Sequence, residues 1–169
     1  MISNKFTINE AEIKIKHEQC SDPQRCRDDD IFVESCSSKN NTLSTITFRD
    51  DLTICVFWES YSSCSSQELL YVPETGVLFL GCGSLSARVA VQQRRLLDVK
   101  NICLFWGFSR HKDFVLETGE LECFLYSLSG AEISTTAVDP PYEIDVTENG
   151  IKFESIVLGT TWLRFEVNC

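Results

Sequence analysis

Cations and histidines are scarce in this chain. Its 169 residues include two histidines, His17 and His111, and 15 Lys and Arg against 25 Asp and Glu, for a formal net charge of −10. So few bases argue against nucleic-acid binding as the main task, because phosphate contacts need clustered Lys and Arg. The same balance argues against docking on an anionic membrane. Apolar runs are also short. Leu52–Trp58, Val77–Cys82 and Ile102–Phe108 have the length of a strand and fall far below a bilayer span. Residues 1–20 carry Lys5, Glu10, Glu12, Lys14 and Lys16 with no apolar leader core, so a cytoplasmic chain is expected.

Motifs of catalysis and cofactor binding are missing as well. His17, Cys20, Cys26 and Cys36 have the ligand types of a zinc site, but no C-x-x-C pair, so loop cysteines are expected instead. Gly81-Cys82-Gly83-Ser84 has Ser86 where a dinucleotide fingerprint needs its third glycine, and reads as a strand ending in a tight turn. Asp28-Asp29-Asp30 lacks the glycine and the later glutamate of a calcium loop. His111 lies in the charged turn Arg110-His111-Lys112-Asp113 with no nucleophile motif beside it. No metal, cofactor or catalytic residue is therefore expected, and the chain is read as a non-enzyme. The sequon Asn40-Asn41-Thr42 has no consequence without secretion.

What is present is a globular composition, 43% hydrophobic, with nine cysteines. Cys55, Cys82, Cys103 and Cys123 lie in apolar runs and are expected in the core as small hydrophobes. Cys20, Cys26, Cys36, Cys64 and Cys169 lie in polar surroundings, and most or all of the nine thiols are expected to be reduced.

The most informative feature is an internal repeat. Ile54-Cys55-Val56-Phe57-Trp58 returns as Ile102-Cys103-Leu104-Phe105-Trp106, and between Tyr71 and Ser86 eight of sixteen positions recur 43 residues later. Asp51, Asp98 and Asp145 fall 47 apart, each before an apolar segment. The chain is thus expected to be one domain, with an irregular part at 1–50, repeats at 51–97 and 98–144, and a truncated third at 145–169. Each unit reads as strand, turn, strand, turn. Glu117-Thr118-Gly119 is taken as a turn, Ser129-Gly130 as another, and Tyr142–Val146 and Ile151–Phe153 as a hairpin about Glu148-Asn149-Gly150. Ile13 and Ile15 alternate with lysines as on a half-buried strand, and Leu43–Phe48 is a further strand. Residues 85–99 suit helix or strand by periodicity, and the repeat favours strand. Trp58, Trp106 and Trp162 are expected in the core or at an interface between blades. The predicted fold is all-β, antiparallel meanders built from repeats of about 47 residues, closing as a β-sandwich or as an incomplete or small propeller.

The segment Phe105-Trp106-Gly107-Phe108-Ser109-Arg110-His111-Lys112-Asp113, with Leu128-Ser129-Gly130 and Val138-Asp139-Pro140-Pro141-Tyr142, resembles small, uncharacterised bacterial proteins similar to the immunity proteins encoded beside secreted toxins. The resemblance covers the last 70 residues or so and implies a bacterial cytoplasmic binding protein, with no catalytic residues to carry over. The Glu-Thr-Gly turns also look like those of quinoprotein-type propellers, whose cofactor-contacting residues have no match here.

Charge points to the same region. Residues 1–100 carry 11 bases and 14 acids, a net of −3, whereas residues 101–169 carry 4 and 11, a net of −7. Glu120 and Glu122 are expected on one side of a strand. Together with Glu117, Asp139, Glu143 and Asp145 they are expected to form an acidic face that receives a basic, toxin-like protein partner. A second reading is a structural β-module whose exposed repeat edges pair in an oligomer, and a third and weakest is an enzyme of unknown class, for which a pocket lined by His111 and acids would speak.

Overall fold

Period-two alternation of apolar and polar residues sets most of the strands. In Ile13-Lys14-Ile15-Lys16 the isoleucines are half-buried and the lysines exposed, as a strand with one solvated face requires. In a computed structural model, which describes residues 3–7, 13–21, 30–48, 52–60 and 66–165, the chain is all-β, with no helix among these residues. It follows that no helix among them is long and apolar enough to cross a membrane. The side chains of residues 3–7 and 66 fall outside the description.

The chain divides into two compact units, Met1–Asn101 and Ile102–Cys169. The first contains β1 (Ser3–Thr7), β2 (Ile13–Gln19), β3 (Ile31–Glu34), β4 (Thr42–Phe48), β5 (Leu52–Trp58), β6 (Ser66–Val72), β7 (Val77–Cys82), β8 (Leu85–Ala90) and β9 (Arg95–Asn101). They form a five-stranded sheet in the order β1-β6-β7-β8-β9 and a four-stranded sheet in the order β2-β4-β5-β3. The pairing is antiparallel except at two edges, where β1 joins β6 and β3 joins β5 in parallel. Ile46, Phe48, Ile54, Val56 and Trp58 from one sheet meet Leu69, Leu78, Leu80, Leu85, Ala87 and Val89 from the other in a single core. This unit is a β-sandwich. Each Val, Leu, Ile or Phe side chain among them, fully buried, contributes about 1.5–3 kcal/mol. The indole Nε1–H of Trp58 donates to Ser44 Oγ at 2.8 Å, which satisfies the one polar atom that this ring brings into the core.

The second unit contains β10 (Phe105–Arg110), β11 (Phe114–Gly119), β12 (Glu122–Ser127), β13 (Glu132–Ala137), β14 (Tyr142–Thr147), β15 (Gly150–Ser155) and β16 (Gly159–Arg164). It has a four-stranded meander, β10-β11-β12-β13, and a three-stranded one, β14-β15-β16. Leu116, Cys123 and Leu125 from the first sheet, with Val138 just past it, share a core with Ile151, Phe153 and Leu163 from the second. Thr161 Oγ1 donates to the Ala137 carbonyl at 3.0 Å, tying β16 to the end of β13. This is a second, smaller sandwich.

The expected meanders and hairpins are present. Residues 85–99 form β8 and most of β9, as strands, and Asn149 sits in a two-residue turn between β14 and β15. Three local expectations are corrected. The expected Glu117-Thr118-Gly119 turn is instead the end of β11, and the chain turns at Glu120-Leu121. Its repeat partner Glu74-Thr75-Gly76 does turn, with Gly76 at φ 69°. Gly119 instead pairs with Phe105 across the sheet, and the following Glu120 N–H donates to the Leu104 carbonyl at 2.9 Å, so the strand continues where its counterpart bends. Cys103 is corrected from core to surface, and of the two places expected for Trp106 the core is corrected. Cys55 and Trp58 belong to β5, inside its sheet between β4 and β3, whereas Cys103 precedes the edge strand β10 and Trp106 sits at an irregularity in it, 44% exposed. The repeat boundaries at 97/98 and 144/145 fall inside β9 and β14. Asp51, Cys26, Cys64, Cys169, Asp28 and Asp29 lie outside the described residues.

Candidate partner-binding surface

The second unit carries the candidate surface, and strand parity decides what faces solvent. In β15 the odd residues Ile151 and Phe153 point into the core, so Lys152 and Glu154 point out. The register pairs Asp145 with Lys152 and Glu143 with Glu154, which puts Glu143 and Asp145 on this same outer side. On β16 the residues opposite Lys152 and Glu154 are Trp162 and Thr160. The outer side of this sheet therefore holds three carboxylates, Glu143, Asp145 and Glu154, toward the β14 edge. Lys152 forms an ion pair with Glu154. At the β16 edge Arg164 lies over the Trp162 ring, 5.6 Å from its centroid. The hairpin tip beside Glu154 is apolar: Ile156, Val157 and Leu158 are 86%, 74% and 47% exposed.

The other four predicted acids stand elsewhere. Glu117 is fully buried on β11, opposite Phe124 and Phe108, and takes no part in a solvent-facing surface. Glu122 points away from the core that Cys123 and Leu125 enter, toward the far side of the sandwich from Glu143 and Asp145. Glu120 lies in the turn after β11, where its carboxylate accepts the Cys103 thiol proton at 3.3 Å. Asp139 is half-buried in the segment linking the two sheets, just before Pro140. The fold brings together Glu143 and Asp145 of the predicted set and adds Glu154.

A groove of about 800 Å³ opens at one end of this sandwich, between its sheets. Phe114, Ile133, Val146 and Phe165 form its apolar part, and Lys112, Asp113, Ser127, Thr147 and Glu148 its polar part. Phe114 is held at 4.9 Å from Phe165 and stacks on His111 at 4.5 Å. The partial burial that comes with this lowers the pKa of His111 below its ordinary value, so the ring is neutral at pH 7. A neutral imidazole can act as a base, and Ser109 Oγ lies 3.4 Å from Nε2. That contact is long, and among the described residues no carboxylate is hydrogen-bonded to the ring to orient it. His111 serves as one wall of the groove.

At the other end of these strands, Trp106 stacks on Tyr142 at 5.2 Å, and Tyr142 O–H donates to the Gly119 carbonyl at 2.7 Å. This bridges the edge strands β10 and β14 of the two sheets. Ile144 and Val146 follow on β14, 43% and 47% exposed, completing an apolar stripe along one flank.

In the first unit His17 Nδ1 lies 2.7 Å from Ser44 Oγ, a structural contact. Cys20 is half-buried and Cys36 exposed, and among the described residues no three His, Cys, Asp or Glu side chains gather as a metal set. Sequence reasoning missed the groove and the apolar tip. The tip had a signal in Ile156-Val157-Leu158-Gly159, three apolar residues running into a glycine between two strands. The groove had none, since Phe114, Ile133 and Phe165 are 51 residues apart at the extremes. No family model and no curated protein matches the chain.

Proposed function

We propose that this is a non-enzymatic binding protein of the immunity type, acting in the cytoplasm, which covers the functional groove of a basic protein partner. The observation that carries the reading is the grouping of Glu143, Asp145 and Glu154 on the outer side of the β14–β16 sheet, in the unit that holds a net charge of −7. Acids displayed this way steer a cationic partner into encounter and set its orientation. The exposed Ile156-Val157-Leu158 tip beside them supplies the apolar contact that charge alone lacks, giving an apolar centre with a charged rim. Inhibition follows from occlusion and requires no chemistry from this chain.

The test is association kinetics with the product of the adjacent gene. Neutralising the group with Glu143→Gln, Asp145→Asn and Glu154→Gln is expected to slow association by about tenfold at low salt. Val157→Ser at the tip is expected to speed dissociation with no loss of stability, since the side chain is exposed in the free protein. Absence of binding, or association indifferent both to salt and to the triple variant, overturns the reading.

A further inference from the structure

The sheet edge at β14 has the geometry of a strand acceptor. The strand is an edge, with β15 on one side and no described strand on the other. Its register with β15 runs from Tyr142↔Ser155 to Thr147↔Gly150 around a two-residue turn. In such a hairpin the pair next to the turn exchanges both backbone bonds, and bonded and non-bonded pairs then alternate. Thr147, Asp145 and Glu143 thus spend their backbone groups on β15. Tyr142, Ile144 and Val146 turn their N–H and C=O outward, to the open edge.

The side chains along this edge alternate as regularly as its backbone. Glu143 and Asp145 lie on the outer side, and Ile144 and Val146 on the side of the groove, which Val146 itself lines. We propose that the β14 edge binds an extended segment of a partner protein by strand addition, the segment alternating apolar and basic side chains. Residues placed opposite Ile144 and Val146 share their side of the sheet, the side on which the groove lined by Val146 opens. The residues between them share the side of Glu143 and Asp145, so Lys or Arg there meets two carboxylates. Main-chain bonds supply affinity and the alternation supplies specificity. A second copy of this chain is a poor occupant, because pairing two β14 edges sets acids against acids at short range. The proposal rests on the reading of a basic partner and specifies how part of that partner is held.

The probe is a synthetic peptide alternating Lys with Val and Leu, compared with a peptide of the same composition in which the lysines form one block. Titration into the full chain is expected to give saturable binding for the alternating peptide, about tenfold tighter than for the block peptide. Hydrogen exchange reads the geometry directly: the amides of Ile144 and Val146 gain protection on binding, while those of Glu143 and Asp145, already bonded to β15, change little. Val146→Pro removes only an outward N–H, which an edge strand tolerates. It is expected to weaken binding about tenfold relative to Val146→Ala, which keeps that N–H. Equal binding of the two peptides, no binding, or binding that leaves the Ile144 and Val146 amides unprotected overturns strand addition. Should the triple acid variant still slow association with the adjacent-gene product while those amides stay unprotected, strand addition fails and the acidic-face reading stands. Should the amides gain protection while the acid variant changes nothing, the basic-partner reading fails instead.

Discussion

Side chains in this protein answer to their local partners more than to their sequence context. Cys103 repeats Cys55 in sequence, yet Cys55 is buried and Cys103 is exposed. Nothing in the pentapeptide reveals this, because burial depends on which strands flank the segment. The consequence is chemical. The Cys103 thiol donates to the Glu120 carboxylate, and this bond, followed by slight desolvation and the charges of Glu120 and Glu122, holds its pKa above the ordinary value. Glu120→Gln is expected to lower that pKa and speed alkylation of Cys103 a few-fold at neutral pH, because thiolate is the reacting form. Peptide-resolved mass spectrometry after a timed iodoacetamide pulse checks this, and an unchanged rate at Cys103 refutes it. His17 gives a second outcome at this scale. Burial lowers its pKa from 6.5. The unfolded chain thus takes up a proton that the folded chain resists, and the stability tied to the neutral ring is present above pH 6.5 and lost as pH falls through it. In urea titrations the stability advantage of the parent over His17→Gln is expected to shrink between about pH 7 and about pH 5.5. An advantage that does not change with pH counts against it.

At the scale of elements, alternation and turn chemistry were readable and pairing was not. The β14–β15 hairpin could be read in Tyr142–Phe153 because period-two alternation and Asn-Gly act within a dozen residues. The two Glu-Thr-Gly segments show the limit. One turns at Gly76 and the other extends through Gly119, since β10 is present to pair with the second. With the turn displaced, Glu117 moved from an expected solvated loop to a buried strand position, which removed one acid from the predicted face. Glycines separate the same way under substitution. Gly150 has φ 149°, and a Cβ there would collide with the backbone carbonyl of Leu163 on β16. Gly76 has φ 69°, and its Cβ would meet only the flexible Gln92 side chain, at 3.4 Å. Gly150→Ala is therefore expected to cost about 3 kcal/mol and Gly76→Ala about 1 kcal/mol. Urea unfolding of the two variants checks the order, and equal costs would mean that the Leu163 contact relaxes freely.

For the whole molecule, the charge imbalance has opposite consequences for folding and for binding. The two units differ: the −7 of residues 101–169 sits on the smaller sandwich, where Glu143, Asp145, Glu148 and Glu154 are exposed within two adjacent strands and their turn. Sequence arithmetic located this excess. It could not foresee that the sandwich would divide the acids between opposite sides, because that depends on strand parity in two sheets. Exposed like charges repel, and screening relieves them: the Debye length falls from about 20 Å at 0.02 M salt to about 7 Å at 0.2 M. Sodium chloride across that range is expected to raise the stability of the chain, and to raise it less in a Glu143→Gln/Asp145→Asn/Glu148→Gln variant, which has shed three of the charges. The same salt is expected to slow association with a basic partner, since steering is screened along with repulsion. The two effects have opposite sign, so binding lost at high salt cannot be put down to unfolding. Thermal melts and association rates measured in the same salt series decide the matter. A stability that falls as salt rises would mean that repulsion among the exposed acids does not govern folding, and an association rate indifferent to salt would mean that they do not steer the partner.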